Sequence, residues 1–335
     1  MRQIVPDVYL GKNFINVLST KIIIYRLSIF RYICHSIFFF TILIFMRVTG
    51  FTFIKNALTY DYPVVEAIRS ILPLCDDFIV AVGASADDTR NLIAAIDSDK
   101  IQIIDTEWDE SLRMGGLVLA QETDKAFDAI PKETDWAFYI QGDEVLHEQY
   151  LPVVREAMTA WLDQPQVEGL LFKYKHFYGS YDYVGTASNW YPREIRVIRN
   201  DKRIYSYRDA QGFRKGDNQK LNVKVIDAYI YHYGWVKPPE TMQLKQKNFH
   251  KYWHDDEWID EHVIHTAEYD YKAGIDTLEK FNGTHPEVML PRIIKKNWIF
   301  DYDLSFNRMT LKERMKRLIF RLTGIELGYK NYKKI

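Results

Sequence analysis

Between Phe51 and Ile140 the chain alternates short apolar runs with amphipathic stretches, and this alternation restricts the fold more than any other feature. The runs Phe51–Ile54, Phe78–Val82, Ile101–Ile104 and Trp136–Ile140 are short and rich in β-branched or aromatic residues, as strands are. Three helical stretches separate them. Pro63 opens the first, where its missing N–H does no harm, and Val64, Val65, Ile68, Ile71 and Leu72 follow at helical spacing. A cap at Asp87 or Asp88 starts the second, which runs through Ile96, and the third covers Gly116 to Ala129. Strands alternating with helices predict an α/β fold: a mostly parallel sheet with helices on both faces. Strands buried on both faces read as continuous apolar runs, as Trp136–Ile140 does.

Further on, a helix is expected from about Glu148 to Asp163, then a long strand and a bend from Gly169 to Tyr183. Strands follow at Ile195–Ile198 and Val223–Tyr231, with a polar loop from Asp201 to Lys220. From Pro238 the sequence becomes helical and rich in Lys, Trp and His. A chain of 335 residues with 47% apolar residues can bury a sizeable core. Its 44 basic and 45 acidic residues nearly cancel, so no bulk field invites nucleic acid. Two cysteines, Cys34 and Cys75, leave no disulfide framework and fit a reducing, cytoplasmic compartment. The aromatic content of 15%, with 23 Tyr, suits either a carbohydrate-contacting surface or a large core.

Residues 1–45 differ from the rest. Ile22 to Phe45 is long enough to span a membrane, but Arg26, Arg31 and His35 interrupt it. A charge near a bilayer centre costs about 2.5–3.5 kcal/mol on insertion scales. No small-residue cleavage site follows. The segment reads as a poor anchor, an interfacial helix, or sequence upstream of a functional start at Met46, and the last is favoured.

In open sheets of this kind, ligands bind beyond the carboxyl ends of the strands. Two loops sit there: GASADDT at 83–89 and QGDE at 141–144. An isolated Asp-Glu pair is ordinarily an acidic turn or a helix cap. Here a buried strand delivers Asp143 to the ligand-binding edge, and Gly142 lets the backbone pass close to something bulky. A carboxylate so placed suits a divalent cation, which prefers hard oxygen ligands. Downstream, Val225–Trp235 is a second strand, ending in His232-Tyr233-Gly234-Trp235. An Asp and a His from two strand ends can share one Mn²⁺ or Mg²⁺, with diphosphate and water completing the shell.

Taken together, Met46 to Trp235 resembles a family 2 glycosyltransferase of the GT-A fold, of the bacterial surface-polysaccharide type. GASADDT is similar to the family's "GSTDGT", with Ser85, Asp87 and Thr89 matching; QGDE resembles "DADE"; and His232 stands in what looks like the post-catalytic His motif. The resemblance implies a Rossmann-like catalytic domain over 46–236, with a helical C-terminal region over 237–335. It implies inverting, metal-dependent transfer from a nucleotide diphospho-sugar to a glycan or lipid-linked acceptor, at the cytoplasmic face of a membrane. Asp143 and His232 would hold the metal, and Glu66, Ser85, Asp87 and Gln141 would contact the donor. Asp209 is the first choice for the catalytic base and Asp217 the second.

Three departures stand out. Gln141 replaces the first Asp of Asp-x-Asp, Val82 and Gly83 stand where an Asp often reads the nucleobase, and the family's Arg-Asn has only Ala120-Gln121-Glu122 nearby. A catalytically inactive nucleotide-sugar or carbohydrate-binding protein is the alternative that Gln141 raises. A nucleotidyltransferase is disfavoured, because the first loop, Lys55-Asn56-Ala57-Leu58, lacks a Gly-rich, Arg-containing pattern.

Arg193 and Arg196 suit either phosphate or acceptor contacts or salt bridges. His250, His254, His262 and His265 lack a His-Glu-x-x-His arrangement, so a helical subdomain flanking the acceptor cleft is expected there rather than zinc. Near the C-terminus, Thr310 and Glu313 form a capping box. The helix it opens carries an apolar stripe of Leu311, Met315, Leu318, Ile319 and Leu322. Lys312, Arg314, Lys316, Arg317 and Arg321 surround the stripe, and Gly324 ends the helix. Such a helix lies on an anionic membrane or docks on its own domain; the sequence leaves both open.

Overall fold

A computed structural model describes residues 46–335 except 188–189, 264–265, 274, 276, 308 and 324–329. The readings of residues 1–45, His265 and Gly324 lie outside the described residues, as does the side chain of Glu313 in the capping box.

Strands β1 (Val48–Ile54), β2 (Asp77–Gly83), β3 (Ile101–Thr106) and β4 (Trp136–Tyr139) form a parallel sheet in the order β3-β2-β1-β4. Helices α1 (Val64–Ile71), α2 (Thr89–Ala94) and α3 (Leu117–Asp128) connect them. The expected α/β class is the observed one. Side chains alternate between two cores. Phe78, Val80 and Val82 join Trp136 and Phe138 on one face, under α1, α2 and α4 (Leu151–Ala160). Ile79, Ala81 and Tyr139 point to the other face, under α3 and the hairpin of β9 (Ile204–Tyr207) and β10 (Gly212–Lys215). Burial on both sides is why the strand sequences carry no polar alternation.

Beyond β4 the sheet changes direction. β8 (Arg193–Arg199) lies antiparallel between β4 and β6 (Gly169–Tyr178). After β6 the chain turns through the three-residue β7 (Tyr183–Gly185) and returns as β8 without a crossover helix, and parallel neighbours require such a crossover. The 14-residue β12 (Asn222–Trp235) runs parallel to β6 and pairs antiparallel with the short β5 (Glu144–Leu146).

The expected polar loop from Asp201 to Lys220 is instead a small three-stranded sheet of β9, β10 and β11 (Gln219–Lys220). Its inward residues are few (Ile204, Ser206 and Phe213), and buried Arg214 donates to the Asn331 carbonyl at 2.6 Å. So polar a segment gives no strand pattern in sequence.

After Trp235 come α5 (Pro239–His250), α6 (Asp256–His262), β13 (Leu278–Lys280), α7 (Leu290–Ile294), α8 (Leu311–Thr323) and β14 (Lys333–Lys334). β13 pairs with β7 and β14 with β12, so this region is tied back to the sheet, and residues 46–335 make one compact unit. Among the described residues, no helix is long and apolar enough to cross a membrane.

Candidate active site

The two adjacent acids after β4 part company. Past Gln141 and Gly142 the chain enters β5, whose register on β12 sets Glu144 opposite His232. The Tyr233 amide donates to the Asp143 carbonyl at 2.8 Å, so the residue before β5 is pinned beside the end of β12. Glu144 turns inward. Arg196 Nε and Nη2 each donate to it at 2.7 Å, both side chains are fully buried, and Tyr174 Oη adds a hydrogen bond at 2.8 Å. Arg196 is therefore a structural partner of Glu144, so of its two readings the salt bridge holds, though buried rather than on the surface.

Asp143 faces the cleft. Its Oδ1 lies 3.7 Å from His232 Nε2, and Lys245 Nζ, on α5, lies 3.3 Å from its Oδ2. Lys245 also donates to the Gly234 carbonyl at 2.9 Å. Burial alone would raise the Asp143 carboxyl; the neighbouring ammonium groups, Lys245 foremost, outweigh it and hold the group at about 2. A Cβ on Gly234 would lie 2.6 Å from Asp143 Oδ2 and 2.7 Å from His232 Nε2. The backbone at this position passes directly beneath both side chains, and only glycine leaves them room.

Hydrogen bonding fixes the tautomer of His232. His176 Nε2 lies 2.8 Å from the Tyr191 carbonyl, which can only accept, so this nitrogen carries the proton. Burial lowers the His176 pKa to about 3, so the ring is neutral and its Nδ1 is an acceptor. His232 Nδ1, 3.2 Å away, must donate to it. Burial also lowers the His232 pKa, leaving a neutral ring whose bare Nε2 faces the Asp143 carboxylate. Two acceptors opposed in this way suit a cation between them.

A divalent ion therefore fits Asp143 and His232, provided that substrate oxygens and water complete its shell. Among the described residues, no group of three or more His, Cys, Asp or Glu side chains could hold a metal without such help.

These groups sit in a cleft of about 870 Å³. Six Lys or Arg side chains line it, Lys55, Arg193 and Lys245 among them, against three acids, Asp143, Glu194 and Asp209. Trp108, Trp190, Trp235 and Tyr252 supply much of its wall.

Gln141 lines the cleft, and its amide donates to the Ala210 carbonyl at 3.1 Å, tying the end of β4 to the loop that carries Asp209. Asp209 also lines the cleft, between Arg208 and Ala210, both with φ near +60°. Burial raises its carboxyl above the ordinary range. Asp217 is exposed at the β10–β11 turn and does not line the cleft.

Ser85 and Asp87 lie on a second, smaller cavity. Their oxygens are engaged by the loop after β1: the Asn56 amide donates to Ser85 Oγ at 3.0 Å, and the Thr59 amide to Asp87 Oδ2 at 2.7 Å. Glu66, on α1, stands outside the cleft with Arg292 Nε 3.8 Å from its carboxylate. Arg193 and His250 line the cleft. His254 and His262 each stack on Trp258, at 3.5 and 4.5 Å between centroids.

Sequence reasoning missed Lys245, His176 and Glu194. Lys245 is one of several lysines in a polar helix, and its burial depends on where α5 docks. Lys237, also missed, is fully buried, donates to the Asp61 carbonyl at 2.6 Å and sits over the Tyr62 ring. His176 lies within a strand of mixed apolar, Lys and aromatic residues, where nothing sets it apart. Glu194 borders the cleft with its carboxyl buried, and burial pushes it up to about 8.

No family model matches the chain, and no curated protein matches it. Among solved structures, S. aureus TarS aligns over 61% of this chain and 39% of its own, at 15% identity and TM-score 0.36. The 4-diphosphocytidyl-2C-methyl-D-erythritol synthase of Anaerococcus prevotii aligns over 46% of this chain and 72% of its own, at 11% identity and TM-score 0.29. Glucosyl-3-phosphoglycerate synthase of Mycobacterium tuberculosis, solved with Mn²⁺, uridine diphosphate and phosphoglyceric acid, aligns over 39% of this chain and 44% of its own, at 17% identity and TM-score 0.28. The chain thus spans less than half the length of the first and third of these, and the likeness is one of chain path over part of each molecule.

Proposed function

We propose that the cleft binds a nucleotide diphospho-sugar and passes its sugar, with inversion, to a hydroxyl of a glycan or lipid-linked acceptor. The observation that carries this reading is the opposition of Asp143 Oδ1 and His232 Nε2 at 3.7 Å, at the carboxyl end of a parallel sheet and in a basic, aromatic cleft. Mn²⁺ or Mg²⁺ held by Asp143 and His232 would neutralise charge developing on the departing diphosphate. Lys245, 3.3 Å from Asp143, adds fixed positive charge beside the same place. Asp209, with a carboxyl that burial makes more basic, accepts the acceptor's proton as its oxygen attacks the anomeric carbon and the bond to diphosphate breaks. Aromatic walls suit the apolar faces of sugar rings. Two cysteines and a nucleotide-sugar donor suit a cytoplasmic site.

A second reading is favoured by Lys245 itself. Its ammonium already neutralises the one carboxylate, and it could serve the diphosphate without a metal.

Incubating the protein with UDP- and GDP-sugars, with Mn²⁺ or with a chelator, tests both. Metal-dependent donor hydrolysis or transfer supports the first reading, and activity that survives the chelator supports the second. Donor binding without turnover, even with acceptor extracts, favours an inactive sugar-nucleotide binder. Asp143→Asn is expected to lower turnover at least about 100-fold with an unchanged circular dichroism spectrum; retained activity would remove Asp143 from the chemistry.

A further inference from the structure

We infer that α8 is a docking helix for an anionic lipid surface, placed beside the mouth of the cleft. Leu311, Met315, Leu318 and Leu322 recur at i, i+4, i+7 and i+11 and so share one helix face. They are 75%, 56%, 56% and 75% exposed. The sequence left open whether the apolar stripe packs on the rest of the molecule; in the structure these four residues face solvent and Ile319, its fifth member, is half-buried. The helix LKERMKRLIFRLT holds five Lys or Arg against one Glu. Lys312 and Arg314 are exposed. Lys316, about 140° around the helix from Leu311 at 100° per residue, lines the cleft together with Lys330.

An apolar stripe bordered by cations matches a bilayer of anionic lipid, where leucines enter the acyl boundary and lysines meet headgroup phosphates. A second copy of the chain fits less well, because pairing two such helices would set five positive charges against five more. At 13 residues the helix is about 20 Å long, too short to cross a bilayer and suited to lying in its plane.

Because Lys316 lines the cleft from the flank of the helix away from the leucines, docking holds the cleft within about one helix diameter, ~10 Å, of the membrane surface. Together with the transfer reading above, this assigns the acceptor to a class: a hydroxyl on the headgroup of a lipid-anchored carrier. The docking itself does not rest on that reading and is measured without donor.

The test uses the full chain carrying Cys34→Ser and Leu318→Cys, labelled with an environment-sensitive nitrobenzoxadiazole; Cys75 is buried and stays. Vesicles contain phosphatidylcholine alone or with phosphatidylglycerol at roughly 7:3, a mixture carrying negative surface potential. The label is expected to shift to the blue and brighten with the anionic vesicles only, and to revert at high salt. A label at Asp217→Cys, on the exposed β10–β11 turn, is expected to stay unchanged. Leu311→Ser with Leu318→Ser is expected to weaken vesicle binding at least about tenfold while melting as the parent does.

A label at position 318 that stays water-exposed on vesicle-bound protein overturns the proposal, because another segment, such as the apolar residues 22–45, then does the binding. Equal binding to neutral vesicles overturns it as well. So does a dimer in sedimentation that Leu318→Ser dissociates.

Discussion

Asp143 owes its place to a register and its charge to its neighbours. The pairing of β5 with β12 sets it beside His232, and Lys245 and Lys237 keep it ionised despite burial. His176 acts one step further out, by accepting the Nδ1 proton of His232 and so leaving Nε2 bare. His176→Asn keeps an acceptor at that point and is expected to retain Mn²⁺ binding. His176→Leu removes it and is expected to weaken Mn²⁺ binding about 10–100-fold, read by titration calorimetry. Equal binding by both variants would show that the tautomer is fixed by something else.

Glu194 makes a prediction about pH. Burial pushes its carboxyl up to about 8 from an ordinary 4.5. Between these values the folded protein holds a proton that the unfolded chain has released, so stability is full below about pH 4.5 and falls as pH rises towards 8. Glu194→Gln is expected to flatten that decline in melting temperature relative to the parent. Parallel curves for the two proteins would contradict the assignment.

At this scale, the positions of Asp143 and His232 were legible because Asp143 follows a recognisable strand and adjoins Gly142, and His232 stands near the end of another strand, two residues before Gly234. Ser85 and Asp87 were legible as a motif, but their hydrogen bonds to the loop after β1 were not, since these are long-range. Lys245 and His176 carry no local signal, because their importance comes from which distant atoms they meet.

Among the elements, β8 shows what an ion pair inside a sheet demands. Arg196 and Glu144 are both fully buried, and each would be left as an uncompensated charge without the other. Arg196→Met is expected to destabilise the protein by about 3–5 kcal/mol, measured by urea denaturation. Adding Glu144→Gln is expected to recover part of the loss, because it removes the stranded charge. A single variant as stable as the parent would mean that the pair is replaceable by water.

The parallel strands were readable because two-sided burial writes continuous apolar runs. The reversal at β8 was not, since strand direction depends on how the chain returns from β7. The β9–β11 sheet was hidden by its polarity, with only a few inward side chains to mark it.

Over the whole molecule, the cleft is built from both ends of the described chain. The sheet edge supplies Asp143 and His232, α5 supplies Lys245, and the last residues supply Lys330 and Tyr332. Sequence order suggests a catalytic part followed by a helical region. Folding makes the later residues a wall of the same cleft, because α5 crosses over it and β14 pairs with β12. That closure rests on long-range docking, which periodicity does not encode. It also sets α8 at the rim with its leucines outward.

The central claim is that a cation is held between the Asp143 carboxylate and the His232 imidazole while a nucleoside diphosphate occupies the cleft. Pulsed electron paramagnetic resonance of Mn²⁺ added with uridine diphosphate tests it most directly. The predicted result is nitrogen modulation from one directly bound imidazole, lost in His232→Gln. Bound Mn²⁺ with no nitrogen coupling, or diphosphate binding that is indifferent to the metal, would contradict it.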